Sequence, residues 1–155
     1  MGWGDYDKKV NKLARNEREF ISDHPMAATD FQEAANKALS EAKSRYPATL
    51  HNGEGDAFRH CFWNAMMTRM QGEKLAQQFA DAHEMEGGPL VETLMDLHNN
   101  KVGRGIGVSH PNATDTEMAT YCVQALDTDK LVVIQGNTLV KSKTKVPYSP
   151  AGPRP

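Results

Sequence analysis

Two cysteines in 155 residues are too few for a disulfide framework, and Cys61 and Cys122 lack the spacing of a zinc knuckle. Both fall on apolar helical stripes, so they read as buried thiols, bridged only if the chain works in an oxidising place. No apolar run approaches the roughly 18 residues of a membrane-crossing helix, so no transmembrane segment is expected. The stretch "MGWGDYDKKVNKLARNEREF" lacks the uninterrupted apolar core of a secretory signal. The expectation is a chain that is cytoplasmic when made, or exported by a specialised machine that reads no such signal. An excess of positive charge is missing too. Eighteen Lys and Arg face twenty Asp and Glu, net −2, which argues against nucleic-acid binding through bulk charge. There is no HExxH, paired CxxC, G-x-S-x-G elbow or P-loop, so serine-hydrolase and nucleotide-hydrolase readings of those types fall away. Internal repeats are absent as well.

What the chain does have is helical periodicity. A composition 39% hydrophobic and 25% charged suits one soluble domain of this length. Spacing at i, i+3 and i+4 predicts helices over 5–22, from Pro25 to about Tyr46, and from about Asp56 to Gln71. Gly72 interrupts the pattern before "EKLAQQFADAHEME". "GGP" then breaks the chain ahead of a fifth helix, Leu90 to about Val102, which the glycines of "VGRGIG" are expected to end. Thr114 and Glu117 make a capping box for a sixth helix through Leu126. "KLVVIQGNTLVKS" reads as a hairpin and "KTKVPYSPAGPRP" as a flexible, Pro-rich basic tail. The expected fold is mainly α: a compact bundle of about six helices over 1–141 with a small C-terminal β-hairpin, then a disordered tail over 142–155.

Helical phase sorts the polar groups. In "NGEGDAFRHCFWNAMM", Phe58, Cys61, Phe62, Ala65 and Met66 form one apolar stripe, while Asp56, His60 and Asn64 share another side, one turn apart. His83 lies beside Leu75 and Phe79, and His98 sits mid-stripe with Val91, Leu94, Met95 and Val102. Three histidines on three successive helices therefore face inward, and His51 adds a fourth in the loop before "NGEGD". Each alone is explained as a hydrogen-bonded core residue. Asp96, Asn99 and Asn100 can likewise be solvated or capping groups. Together, buried imidazoles with nearby carboxylates point to a shared site, since unpaired buried polar groups cost about 1–3 kcal/mol each.

Two mechanisms fit. In one, His60, His83 and His98 bind a divalent metal, zinc first, while Asp56 orients one imidazole. Glu54 or Glu84 then takes a proton from bound water, and Arg59 stabilises an anionic transition state. In the other there is no metal: a histidine poised by Asp56 or Glu84 is the general base, and Arg59 holds a phosphate or carboxylate. His51, Trp63, Asn99 and Asn100 are read as substrate-binding.

The blocks "NGEGDAFRHCFWNAMM", "FADAHE" and "MDLHNNKVGRGIG" resemble a small bacterial domain family of unsettled biochemistry, found alone and at the C-termini of secreted or polymorphic-toxin-type proteins. The resemblance spans roughly residues 50–107 and matches at Asp56, Arg59, His60, His83, Glu84, His98, Asn99 and Asn100. It implies a toxin or effector with a cognate immunity protein. The expected function is a metal-assisted hydrolase of a phosphodiester, phospholipid or cell-wall bond, acting on a small or polymeric anionic substrate. The alternative is a non-catalytic helical binding module whose histidines are structural or form a pH switch.

Overall fold

A helix that is apolar on nearly every side has to sit in the middle of its domain, and Glu54–Gln71 does. In the computed structural model, which describes residues 15–84 and 88–149, every residue from Gly55 to Thr68 is buried. Around it stand α1 (Arg15–Asp23), α2 (Pro25–Arg45), α4 (Glu73–Glu84), α5 (Leu90–Ser109) and α6 (Asp115–Asp127), with the central helix as α3. The mainly-α bundle with a terminal hairpin is as the sequence predicts. The first helix was expected from residue 5; positions 5–14 lie outside the described residues.

Local chemistry sets the boundaries. Pro25 opens α2 at a first-turn position, where its missing N–H does no harm. Ala27, Ala34, Ala35, Ala38 and Ala42 are all buried along α2. Gly72, at φ 88°, separates α3 from α4. Thr114 accepts from the Glu117 N–H at 3.1 Å while Glu117 takes the Thr114 N–H at 3.2 Å, the reciprocal capping box expected of α6. Phe20, Phe31, Phe79 and Trp63 form an aromatic core that joins α1, α2 and α4 to α3.

The fifth helix corrects the sequence reading. It does not stop at Val102 but runs through "VGRGIG" to Ser109. Gly103 and Gly107 are a packing seam: a Cβ on Gly103 would lie 2.2 Å from the Cys61 carbonyl oxygen, and one on Gly107 2.6 Å from that of Ala65. Cys61 precedes Ala65 as Gly103 precedes Gly107, so α3 and α5 run parallel, backbone close against backbone. Cys61 and Cys122 are buried, unbridged thiols.

Strands β1 (Val132–Gln135) and β2 (Thr138–Lys141) pair antiparallel from Val132↔Lys141 to Gln135↔Thr138 around Gly136 and Asn137. The stretch expected as a flexible tail is described as far as Ser149 and folds back on this hairpin. Tyr148 N–H donates to Leu139 O at 2.9 Å, and buried Ser142 Oγ to Leu126 O at 2.7 Å. Among the described residues, no helix is long and apolar enough to cross a membrane.

Candidate metal centre

The parallel seam changes character toward the N-terminal ends of α3 and α5. Where glycines face backbone at Cys61 and Ala65, the preceding turns carry Asp56 and His60 on α3 and Asp96 and Asn100 on α5. His60 Nε2 stands 3.3 Å from Asp56 Oδ1 and 3.3 Å from Asp96 Oδ1. One donor atom from each of the three residues lies within 4.8 Å of the others. Two donors on one zinc, each at about 2.0–2.1 Å, stand ~3.0–3.4 Å apart, so this spacing fits a shared cation. The donor set of one imidazole and two carboxylates also suits a divalent metal.

Asp56 and His60 are held from behind. Asp56 Oδ2 accepts the Asn52 N–H at 2.8 Å and Oδ1 accepts Arg59 Nη2 at 2.7 Å. Asn52, at φ 61°, is tied by its own carbonyl to the Ile134 N–H of β1 and by its side chain to Glu92. His60 Nδ1 meets Asn100 Oδ1 at 3.2 Å, and Asn100 Nδ2 donates to Glu84 Oε1 at the end of α4, also at 3.2 Å. Glu84 Oε1 is 4.0 Å from His60 Nδ1. Asp56 and His60 are only 3% and 4% exposed, whereas the Asp96 side chain is 19% exposed and gives the cluster its contact with solvent.

Three carboxylates thus crowd one guanidinium and one imidazole. Burial pushes the Asp96 carboxyl up to about 8; the charges of Glu84 and Asp56 and a hydrogen bond with Glu84 add to that, against the pull of His60. Asp56 feels the same burial, yet hydrogen bonding and charge from His60, with the charge of Arg59, hold it well below the usual carboxylate range. Burial also lowers the Arg59 guanidinium, against the pull of Asp56. One carboxyl is locked ionised and its neighbour resists ionising, which is the imbalance that a bound cation would relieve.

A family model described as a domain of unknown function (DUF6973) matches residues 18–130. The chain belongs to that DUF6973 family. No solved structure matches it. The match takes in the whole Asp56–His60–Asp96 cluster with Glu84 and Asn100, and stops short of the hairpin.

Among the sequence-predicted residues, the structure brings together Asp56, Arg59, His60, Glu84 and Asn100. It does not bring together three imidazoles. His98, expected as a ligand, turns to the hairpin side, with Nε2 2.9 Å from Lys130 O and Nδ1 3.3 Å from Tyr148 Oη. His83 packs edge-on against Trp63 at 5.6 Å between ring centroids. Trp63, expected to touch substrate, is fully buried and donates to Phe31 O at 3.2 Å. Asn99 is equally buried: its amide takes the Val132 N–H and gives to Val132 O, both at 2.9 Å, docking β1 onto α5. Glu54, expected as a proton acceptor, pairs instead with Lys145 at 2.9 Å. His51 lies at the surface, 3.6 Å from Glu92. Arg59 is buried against Asp56, where it balances charge.

Asp96 is the residue that sequence reasoning passed over as a capping or solvated group. A signal for it exists: Asp96, Asn100, Gly103 and Gly107 recur at spacings of 4, 3 and 4, one face of a helix. Asp56, His60, Asn64 and Thr68 repeat every fourth residue on α3 and supply the matching face.

Proposed function

We propose that the protein is a metal-assisted hydrolase whose centre is Asp56, His60 and Asp96, with Glu84 beside them. The observation that carries the reading is the convergence of three donor atoms within 4.8 Å in a cluster rich in carboxylates. A divalent ion there would supply a polarised water. Asp56, held by Arg59 and the Asn52 N–H, and His60, held by Asn100, are the preset ligands. Asp96, the more exposed carboxylate, closes the set, and Glu84 is the nearest further base, its oxygen 4.0 Å from the imidazole. Zinc and manganese both suit such a mixed donor set. A phosphodiester, phospholipid or cell-wall bond in an anionic substrate is the proposed target. The bacterial toxin or effector setting, with an immunity protein, belongs to the same proposal and rests on the resemblance of the three sequence blocks.

The test is metal analysis of the full chain after loading with zinc or manganese, alongside hydrolysis of representative phosphodiester, phospholipid and peptidoglycan substrates. The expected result is stoichiometric uptake and turnover of one class, with Asp96→Asn folded but deficient in both. Failure of the wild-type chain to take up either metal sinks the proposal; uptake without turnover of any class leaves the metal structural. That second outcome is the reading of a non-catalytic helical module, and one observation favours it: His83 and His98 spend their rings on Trp63 and the hairpin.

A further inference from the structure

Behind His60 runs a chain of amides that admits only one assignment of donors and acceptors. One end of the Asn64 side chain lies 3.0 Å from the His60 backbone carbonyl, and the other 3.3 Å from Arg104 Nη1. A carbonyl only accepts and a guanidinium only donates, so Asn64 presents Nδ2 to the first and Oδ1 to the second. Its remaining Nδ2 hydrogen points at Asn100, 2.8 Å away, which answers with Oδ1. That turns Asn100 Nδ2 onto the carboxylate of Glu84 at 3.2 Å. The same Asn100 oxygen faces His60 Nδ1 at 3.2 Å. An amide oxygen cannot donate, so Nδ1 carries the hydrogen.

We propose that Arg104, Asn64 and Asn100 form a relay that fixes a hydrogen of His60 on Nδ1 and so makes Nε2 the nitrogen presented to Asp56 and Asp96. The three are positioning residues, since none offers an atom to the cluster's centre. The relay gives the metal-centre reading its ligand in the right form before any ion arrives. It rests on that reading for its purpose and not for its test. Partners that orient a metal-bound imidazole through its other nitrogen set both ring angle and basicity. Here the partner is a neutral amide whose own direction is dictated from two residues away, so the information flows from a buried arginine and a backbone carbonyl. Asn64 and Asn100 are wholly buried and Arg104 nearly so, which shields the relay from competing water.

Nitrogen-15 NMR of the metal-free full chain with labelled histidine reads directly which ring nitrogens carry hydrogen. The expected pattern for His60 is a protonated Nδ1. A ring whose Nδ1 carries no hydrogen would overturn the inference. Two near-isosteric variants separate relay from mere packing. Asn64→Asp keeps an acceptor for Arg104 but has no N–H for Asn100, so the single tautomer should give way to a mixture and zinc affinity should fall about 10–100-fold. Asn100→Asp keeps an acceptor at Nδ1 and should retain the Nδ1–H form. An unchanged tautomer in folded Asn64→Asp counts against the relay. If the wild-type ring shows Nδ1–H while zinc fails to bind, the metal centre falls and the relay stands.

Discussion

Gly103→Ala and Gly105→Ala make the same chemical change two residues apart on α5, and the packing gives them opposite signs. Alanine in a helix interior is favoured over glycine by about 0.8–1.0 kcal/mol. A Cβ at Gly105 meets nothing within 4 Å, so this variant should realise that gain and melt a few degrees higher, ~2–5 °C. A Cβ at Gly103 falls 2.2 Å from the Cys61 oxygen and 2.9 Å from its carbonyl carbon and Cα. Carbon–oxygen contacts are comfortable at about 3.3 Å, so α5 would have to retreat by roughly 1 Å. The atoms it meets are backbone in the buried central helix and cannot rotate aside. Overpacking of this kind costs about 1–3 kcal/mol, occasionally more, and outweighs the helical gain. The same retreat would pull Asp96 away from His60, so metal uptake should weaken along with stability. Urea unfolding followed by circular dichroism, all three proteins side by side and metal-free, gives the comparison. Gly103→Ala as stable as wild type would refute the close seam, and Gly105→Ala losing stability would refute a helix running through the glycines.

Asn99→Leu should cost at least about 2 kcal/mol, because it strands the buried N–H and C=O of Val132; hydrogen exchange at the Val132 amide should accelerate as urea stability falls. Thr114→Ala should lower stability by about 1 kcal/mol through loss of the α6 cap, with Thr114→Ser recovering most of it in the same unfolding assay. The pH dependence follows from Asp96, whose carboxyl is raised from 3.8 to about 8 in the folded chain. Between those values the folded state binds more protons than the unfolded state, so this group's contribution to stability falls as pH rises through the window. Asp56, shifted downward, acts oppositely: its contribution is present above the ordinary carboxylate pKa and is lost as pH drops below it. In metal-free protein, Asp96→Asn should flatten the decline between weakly acidic pH and pH 8, measured as melting temperature against pH.

Much of the bundle was legible because burial imposes period. The all-round apolar character of 54–71 marked the central helix, the capping box fixed the start of α6, and "QGN" located the hairpin. The α5 end was misread for a physical reason. Glycine after a periodic run is usually a helix stop, and only the neighbouring backbone reveals that Gly103 and Gly107 are there to be touched. His98 was misassigned on similar grounds. Helical phase says which residues share a stripe, not which neighbour that stripe meets, and the stripe of His98 meets the hairpin and Tyr148. Asp96 went the other way: an aspartate looks solvated until a parallel partner helix brings a second carboxylate and an imidazole against it. His60 and Asp56 were legible because their one-turn spacing lies within a single helix.

The parallel run of α3 and α5 has an electrical side. Most neighbouring helices in a small bundle alternate in direction and cancel each other's axial dipoles. Here two dipoles, each with about half a charge at its positive end, point the same way, and the start of α3 at Glu54 lies level with Asp96 of α5. Asp56 comes from the opening turn of α3, where the dipole favours an ionised acid, and Asp96 from the second turn of α5, past the opening end of that helix. The amides that open α3 therefore favour the ionised Asp56, and that acid in turn quiets the repulsion between the two like-directed dipoles. The seam that glycine makes possible thus also sets the positive mouth of one helix against the flank of the other, where the two acids meet.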